Sequence, residues 1–146
     1  MKNFKSLNWL VLMAVLFISS LAVNAQTEIF RMKTNFSSVS KIDIQGGTLN
    51  VSVYGADRTD VLVSGFINGM ESQKGLLKIE TKLSGDVLAV TYVGGDSFNG
   101  VSGEIRILVP QSNTSLNTRC TSGNIDIMSL SGNVVDVMSV SGNVML

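Results

Sequence analysis

The stretch TSGNIDIMSLSGNVVDVMSVSGNVML, residues 121 to 146, contains the triplet Ser-Gly-Asn three times. The triplets begin at residues 122, 131 and 141, and each leads into aliphatic residues. Gly123 and Gly142 are nineteen residues apart, with Gly132 between them. Two turns in nineteen residues predict a coil of two short β-strands that repeats along the chain.

In such a β-solenoid, each strand points aliphatic side chains inward at alternate positions. The predicted inward pairs are Ile125 with Ile127 and Val135 with Val137. Gly allows a tight corner, and Asn residues at equivalent corners are expected to lie above one another and to bridge the coils. The predicted structural turn residues are Gly123, Asn124, Gly132, Asn133, Gly142 and Asn143.

The same periodicity fits an antiparallel meander in which each Gly-Asn pair forms a hairpin turn. Similarity between the units favours the solenoid over residues 116–146, because stacking places like residues on like residues. Before it, alternation with a period of two, as in Leu77 to Leu83 and Ile105 to Val109, predicts longer strands. Antiparallel pairing is open for those strands. The predicted fold class is all-β, with a β-solenoid in the C-terminal part.

Three segments carry a resemblance to a known family: VSKIDIQGGTLNVSVYGADRTDVLVSG (39–65), LLKIETKLSGDVLAVTY (76–92) and GEIRILVPQSNTSLNTRCTSGNIDI (103–127). They resemble the bacterial putative-adhesin repeat domains, exported or envelope β-proteins, from about Phe36 onward. The most specific part is the strand ending in Pro110, followed by a polar link and the Ser-Gly-Asn repeats. The resemblance implies a β-helical fold and a surface or periplasmic role, and it brings no catalytic residues.

Proteins of this family commonly continue through further coils, and solenoids need capped ends. We therefore expect either that the chain is a copy truncated at its C-terminus or that another molecule covers its last coil.

The first 25 residues are predicted to be a secretory signal peptide. Lys2 and Lys5 supply positive charge, residues 9–18 are apolar, and small residues precede a cleavage site between Ala25 and Gln26. Residues 26–146 then form a single β-repeat domain. An uncleaved membrane anchor is the alternative, but the apolar run is shorter than the ~20 residues that a span needs. We expect export to the periplasm, the cell surface or the exterior, with no membrane span after cleavage.

Composition argues against several classes of function. Without Lys2 and Lys5, 9 of the 11 basic residues remain against 11 acidic ones, so nucleic acid is not an expected partner. The chain has no His, which excludes Ser-His-Asp triads, Cys-His pairs and His-based metal sites. The single cysteine, Cys120, is expected to be a small buried residue. No catalytic, cofactor or metal site is predicted.

Other local patterns are weak. Ser38 and Lys41 fit Ser-x-x-Lys, and GDSF at 95–98 resembles the start of a serine-hydrolase block, but both lack the rest of their motifs. Met128 and Met138, in equivalent places of successive repeats, are interpreted as core-filling residues.

The leading hypothesis is a non-enzymatic exported β-repeat protein, acting as an adhesin or a structural protein of the cell envelope. The alternative is a periplasmic binding or regulatory module that docks a partner by adding strands to its open last coil. A protein, a surface glycan and self-association through the C-terminal coil are the partners considered. An enzyme ranks third, since Asp126 and Asp136, the one carboxylate pair in the repeat, are expected on different strands.

Overall fold

The computed structural model describes residues 26–94, 99–131 and 134–146. The predicted signal segment 1–25, the GDSF segment and the corner residues Gly132 and Asn133 lie outside these ranges. The described chain forms eleven strands and a single 3-10 turn, Glu71–Gln73, which confirms the all-β class. The strands are β1 Thr27–Phe36, β2 Lys41–Gly47, β3 Asn50–Ala56, β4 Val61–Gly69, β5 Lys78–Ser84, β6 Val87–Val93, β7 Ser102–Pro110, β8 Ser115–Cys120, β9 Ile125–Met128, β10 Val135–Ser139 and β11 Val144–Met145.

The strands form two mixed sheets. The larger sheet has the order β1-β4-β7-β3-β9-β11, and the smaller sheet has the order β10-β8-β2-β6-β5. Pairing is antiparallel for β1 with β4, β4 with β7, and β5 with β6, and it is parallel for every other pair. None of the chain that the structure describes forms a helix with the length and apolarity needed to span a bilayer.

Eight of the strands are organised as four layers, each made of two consecutive strands, one from each sheet. In spatial order the layers are β6 with β7, β2 with β3, β8 with β9, and β10 with β11. We call this arrangement the stack. Strands β1 and β4 extend the larger sheet beyond the first layer, and β5 extends the smaller sheet there.

The core consists of aliphatic rows that run from layer to layer between the sheets. In the larger sheet, Ile105, Val51, Ile125 and Val144 are successive partners in register. In the smaller sheet, the corresponding row is Leu88, Ile42, Leu116 and Val135. The alternation of apolar and polar residues along each strand sends these side chains inward, so that each layer buries the row of its neighbour.

The β-solenoid predicted for the C-terminal part is not the fold found. In a solenoid, successive coils stack in chain order. Here the layer β2 with β3 lies between the later layers β6 with β7 and β8 with β9, and antiparallel strands extend both sheets. The physical reason is that β2 and β3 are each paired along both edges. The strands of the layer β6 with β7 pair with one edge, and those of the layer β8 with β9 pair with the other.

The antiparallel meander is also wrong for the C-terminal repeat. Strand β10 pairs in parallel with β8, with Val135 opposite Leu116, and β11 pairs in parallel with β9, with Val144 opposite Ile125. In both strand pairs, the paired residues are nineteen positions apart in the sequence, which is also the spacing between Gly123 and Gly142. Like residues therefore lie on like residues in the last two layers.

Candidate functional site: the open end of the stack

Gly123 and Gly142 lie where the chain crosses from the smaller sheet to the larger one. A Cβ atom on Gly123 would stand 1.8 Å from the carbonyl oxygen of Leu49, and one on Gly142 would stand 2.1 Å from the carbonyl oxygen of Gly123. Neither glycine is among the described residues with positive φ. The corner therefore needs glycine for close backbone contact between layers rather than for a left-handed conformation.

The asparagines that follow form a ladder along the same corners. The backbone N–H of Asn124 donates to Oδ1 of Asn50 at 3.0 Å, and the backbone N–H of Asn143 donates to Oδ1 of Asn124 at 3.0 Å. The repeat predicts the positions of Asn124 and Asn143 but not that of Asn50. Asn50 follows Leu49 and lacks the Gly-Asn pair that marks the other two corners.

The ladder stops at the last layer. Asn143 Oδ1 has no donor among the described residues, although Oδ1 of Asn50 and Oδ1 of Asn124 each have one. No described strand pairs with the outer edge of β10 or β11. We call this surface, formed by residues 134–146, the open end.

Burial falls sharply toward the open end. Along the larger sheet, exposure of the inward row rises from 1% at Ile125 to 44% at Val144. Along the smaller sheet, it rises from 3% at Leu116 to 36% at Val135. Further exposed apolar side chains extend the same surface: Val134, Met138, Val140, Met145 and Leu146. The inward rows thus continue to a face that nothing in the described chain covers.

Two open clefts flank the open end. One, of about 420 Å³, is lined by Ile127, Met128, Ser129, Leu130, Val135 and Leu146. The other, of about 390 Å³, includes Cys120, Met138 and Val140. The prediction that Met128 and Met138 fill the core is wrong, because both side chains are exposed and they lie on different sheets.

The open end carries one charged side chain, Asp136, between residues 134 and 146. At the opposite end, the edge strands β1 and β5 carry six exposed charged residues, and we call this surface the charged end. They are Glu28, Arg31 and Lys33 on β1 and Lys78, Glu80 and Lys82 on β5. Charged side chains on an edge strand, lysine above all, discourage pairing with another strand. The charged end therefore has this protection, and the open end lacks it.

The structure does not join the acidic residues of the repeat into one site. Asp126 lies on β9 of the larger sheet and Asp136 on β10 of the smaller sheet. Within the described residues, no group of three or more Cys, Asp or Glu side chains is placed to hold a metal ion. A polar cluster on the larger sheet is paired internally: Ser52 Oγ donates to Glu104 at 2.7 Å, and Arg106 lies 3.1 Å from the same carboxylate.

Cys120 is buried at the end of β8, which confirms its prediction as a small core residue. Burial raises the pKa of its thiol to about 11. The thiol is therefore protonated at neutral pH and is a poor nucleophile.

No family model and no curated protein matches the chain. Among solved structures, it is similar to one named as a putative cell adhesion protein from Clostridium sporogenes, with 12% identity over 77% of this chain and 59% of that chain at a TM-score of 0.47. A structure named as a putative lipid binding protein from Parabacteroides distasonis has 19% identity over 66% of this chain and 40% of that chain, with a TM-score of 0.42. A structure named as a putative adhesin from Bacteroides fragilis has 17% identity over 80% of this chain and 62% of that chain, with a TM-score of 0.37.

The chain thus spans less than two thirds of the length of each of these three structures. With every TM-score below 0.5, the likeness carries no argument about function.

Proposed function

We propose that this chain is a non-enzymatic, exported β-protein of the adhesin type, and that it binds other molecules through the open end by strand addition. The observation that carries the proposal is the continuity of the inward rows and of the Asn ladder to an uncovered edge. An edge strand with free backbone groups is a template for another strand, and alternate side chains of the added strand fill the pockets beside it.

The layers already present indicate how an added strand is held. Val51 N–H donates to the carbonyl oxygen of Asn124 at 2.8 Å, and Ile125 N–H donates to that of Asn143 at 2.9 Å. By the same pattern, Val144 N–H is the donor for the next strand, and Asn143 Oδ1 is the acceptor for its corner N–H. Main-chain hydrogen bonds supply affinity in this mode, and the exposed aliphatic residues select an apolar, alternating partner.

Under this proposal, the partner strand continues the like-on-like stacking of the last two layers. Export is the second part of the proposal: residues 1–25 serve as a signal peptide, and residues 26–146 are the mature single domain at the surface, in the periplasm or outside the cell. N-terminal sequencing of the exported protein is expected to begin at Gln26, and an intact N-terminus would contradict cleavage.

The binding test uses a synthetic peptide with the sequence TSGNIDIM, residues 121 to 128, which has the Gly-Asn corner and the alternating isoleucines. It is titrated to millimolar concentration into residues 26–146, which contain every described strand, while amide hydrogen exchange is followed. We expect slower exchange at Val144, because its outward-facing amide gains a partner.

The matched control is the peptide TSGNDDDM, in which both isoleucines are replaced by aspartate. Aspartate cannot enter the apolar row without losing its hydration, so this peptide should leave exchange unchanged. Equal protection by both peptides, or protection at β1 and β5 but not at the open end, would refute strand addition there.

A further inference from the structure

We infer that the occupant of the open end is the open end of a second copy of this chain. In this closed two-fold dimer, β10 lies antiparallel to β10 of the other copy, with Val137 of both copies at the axis. The inference rests on the proposed function, since it uses the same open end, and it specifies the partner; the strand edge in contact is that of β10 in the smaller sheet.

The charge distribution selects this partner arrangement over a head-to-tail one. Pairing the open end with the charged end of another copy would cover side chains such as Arg31, Lys78 and Lys82 with residues 134–146, which offer one charged side chain, Asp136. Covering charged groups without partners is unfavourable. Two open ends bring together mainly aliphatic residues. Because a two-fold interface closes on itself, the product is a dimer and not a filament.

Strand β10 is self-complementary in the antiparallel arrangement. With Val137 opposite Val137, Val135 lies opposite Ser139 and Asp136 lies opposite Met138. Val135 and Val137 belong to the inward row in each copy, since their partners on β8 are Leu116 and Thr118, which are buried. Inward residues therefore meet inward residues: Val137 meets Val137 at the axis, and each Val135 meets Ser139.

In the same register, the Asp136 carboxylates of the two copies do not lie directly opposite each other. Each Asp136 carboxylate faces the thioether side chain of Met138, and the two aspartates are diagonal neighbours, about 7–8 Å apart. Both residues are exposed on the outer face, so water and salt screen the repulsion between the carboxylates. The edge of β10 can therefore pair with the same edge of a second copy.

The test measures the molar mass and dissociation constant of residues 26–146 by sedimentation equilibrium. We expect a reversible dimer. Met138→Lys places an ammonium group opposite Asp136 twice per dimer, and it should lower the dissociation constant by about threefold to tenfold. Met138→Asp places like charges opposite each other and should raise it by about the same factor. Because Met138 is exposed, neither variant disturbs the core.

Three controls distinguish this pairing from other contacts. The Met138→Lys effect should shrink at 1 M salt, where charges are screened within about 3 Å. Leu83→Lys, which changes an exposed aliphatic residue on β5 at the charged end, should leave the dissociation constant unchanged. Equal effects of Met138→Lys and Met138→Asp would overturn the antiparallel register, and so would an effect of Leu83→Lys.

A strictly monomeric protein up to its solubility limit would overturn the dimer. If that monomer still binds the TSGNIDIM peptide at Val144, the proposed strand addition stands while the second copy is excluded as its partner. If the monomer binds neither itself nor the peptide, both proposals fail.

Discussion

The two ends of the stack have the same kind of strand edge but carry different side chains. Each end presents one edge strand from each sheet: β1 and β5 at the charged end, and β11 and β10 at the open end. The strands of the charged end carry exposed charges of both signs, partly paired within the strand, as in Glu28 with Arg31 and Lys78 with Glu80. The open end has aliphatic residues in the same kind of position.

The difference shows that a free strand edge is not in itself a binding surface. What matters is the cost of covering it. At the charged end, a partner strand would have to displace water from six charged groups. At the open end it would displace water from aliphatic surface, which is favourable by roughly 25 cal/mol per Å².

The largest expected effect compares the same inward row inside the stack and at its end. Ile125→Ala should lower the free energy of unfolding by about 2–5 kcal/mol, because it leaves a cavity between Val51 and Val144. Val144→Ala should cost less than about 1 kcal/mol, because that side chain is already 44% exposed. Urea denaturation of both variants, at protein concentrations well below the dimer dissociation constant, measures the difference. Equal losses would mean that the last layer is as buried as the third.

A smaller effect is expected along the Asn ladder. Asn124→Ala removes the acceptor for the N–H of Asn143 and should cost about 0.5–1.5 kcal/mol. Asn50→Ala, which removes the acceptor for Asn124, is the matched case inside the stack. Asn143→Ala should change the stability of the monomer by less than about 0.5 kcal/mol, because its Oδ1 has no donor in the described chain. The same denaturation experiment tests all three, and a cost at Asn143 equal to that at Asn124 would contradict an uncovered end.

The smallest expected effect is a change of rate at Cys120, which lines the same cleft as Met138 and Val140. Because burial raises its pKa to about 11, alkylation by iodoacetamide at pH 9 should be slow in the folded protein and fast in urea. The folded state holds the thiol proton more tightly, so this group stabilises the fold below pH 9 and loses that contribution as the pH rises toward 11. Fast alkylation of the folded protein at pH 9 would show that the last layer opens readily and that the open end is not a formed surface.

Much of the candidate site could be anticipated from the repeat. The nineteen-residue spacing predicts which residues of β8 and β10 become neighbours, and the alternation predicts that Ile125 and Ile127 face inward; both are buried. The role of Gly123 was anticipated only in part, since a tight corner was expected but not the contact of its backbone with Leu49. That contact depends on a strand from a distant part of the chain.

Strands β1 and β4 were not predicted as elements. On β1 only Ile29 is buried. Phe30, Met32 and Phe36 alternate and pack against the core, but a register shift between Glu28 and Phe30 puts Ile29 outside that alternation. On β4 the inward residues alternate correctly, but Leu62 and Phe66 make the outward face apolar as well, and Gly65 and Asn68-Gly69 resemble turn signals. A Cβ on Gly65 would stand 2.5 Å from Cδ1 of Ile79 on the other sheet and 3.0 Å from the carbonyl oxygen of Glu104, so a larger residue there would force Ile79 to move.

The sequence by itself determined the all-β class, the inward side of most strands and the stacking register of the last two layers, because these depend on alternation and on spacing within a short segment. Only the tertiary structure decided that β2 and β3 lie between two later pairs, that Asn50 begins the ladder, and that one end is protected by charge while the other is not. Those features arise from pairing between strands far apart in the chain, and no local pattern encodes which edge a distant strand will meet.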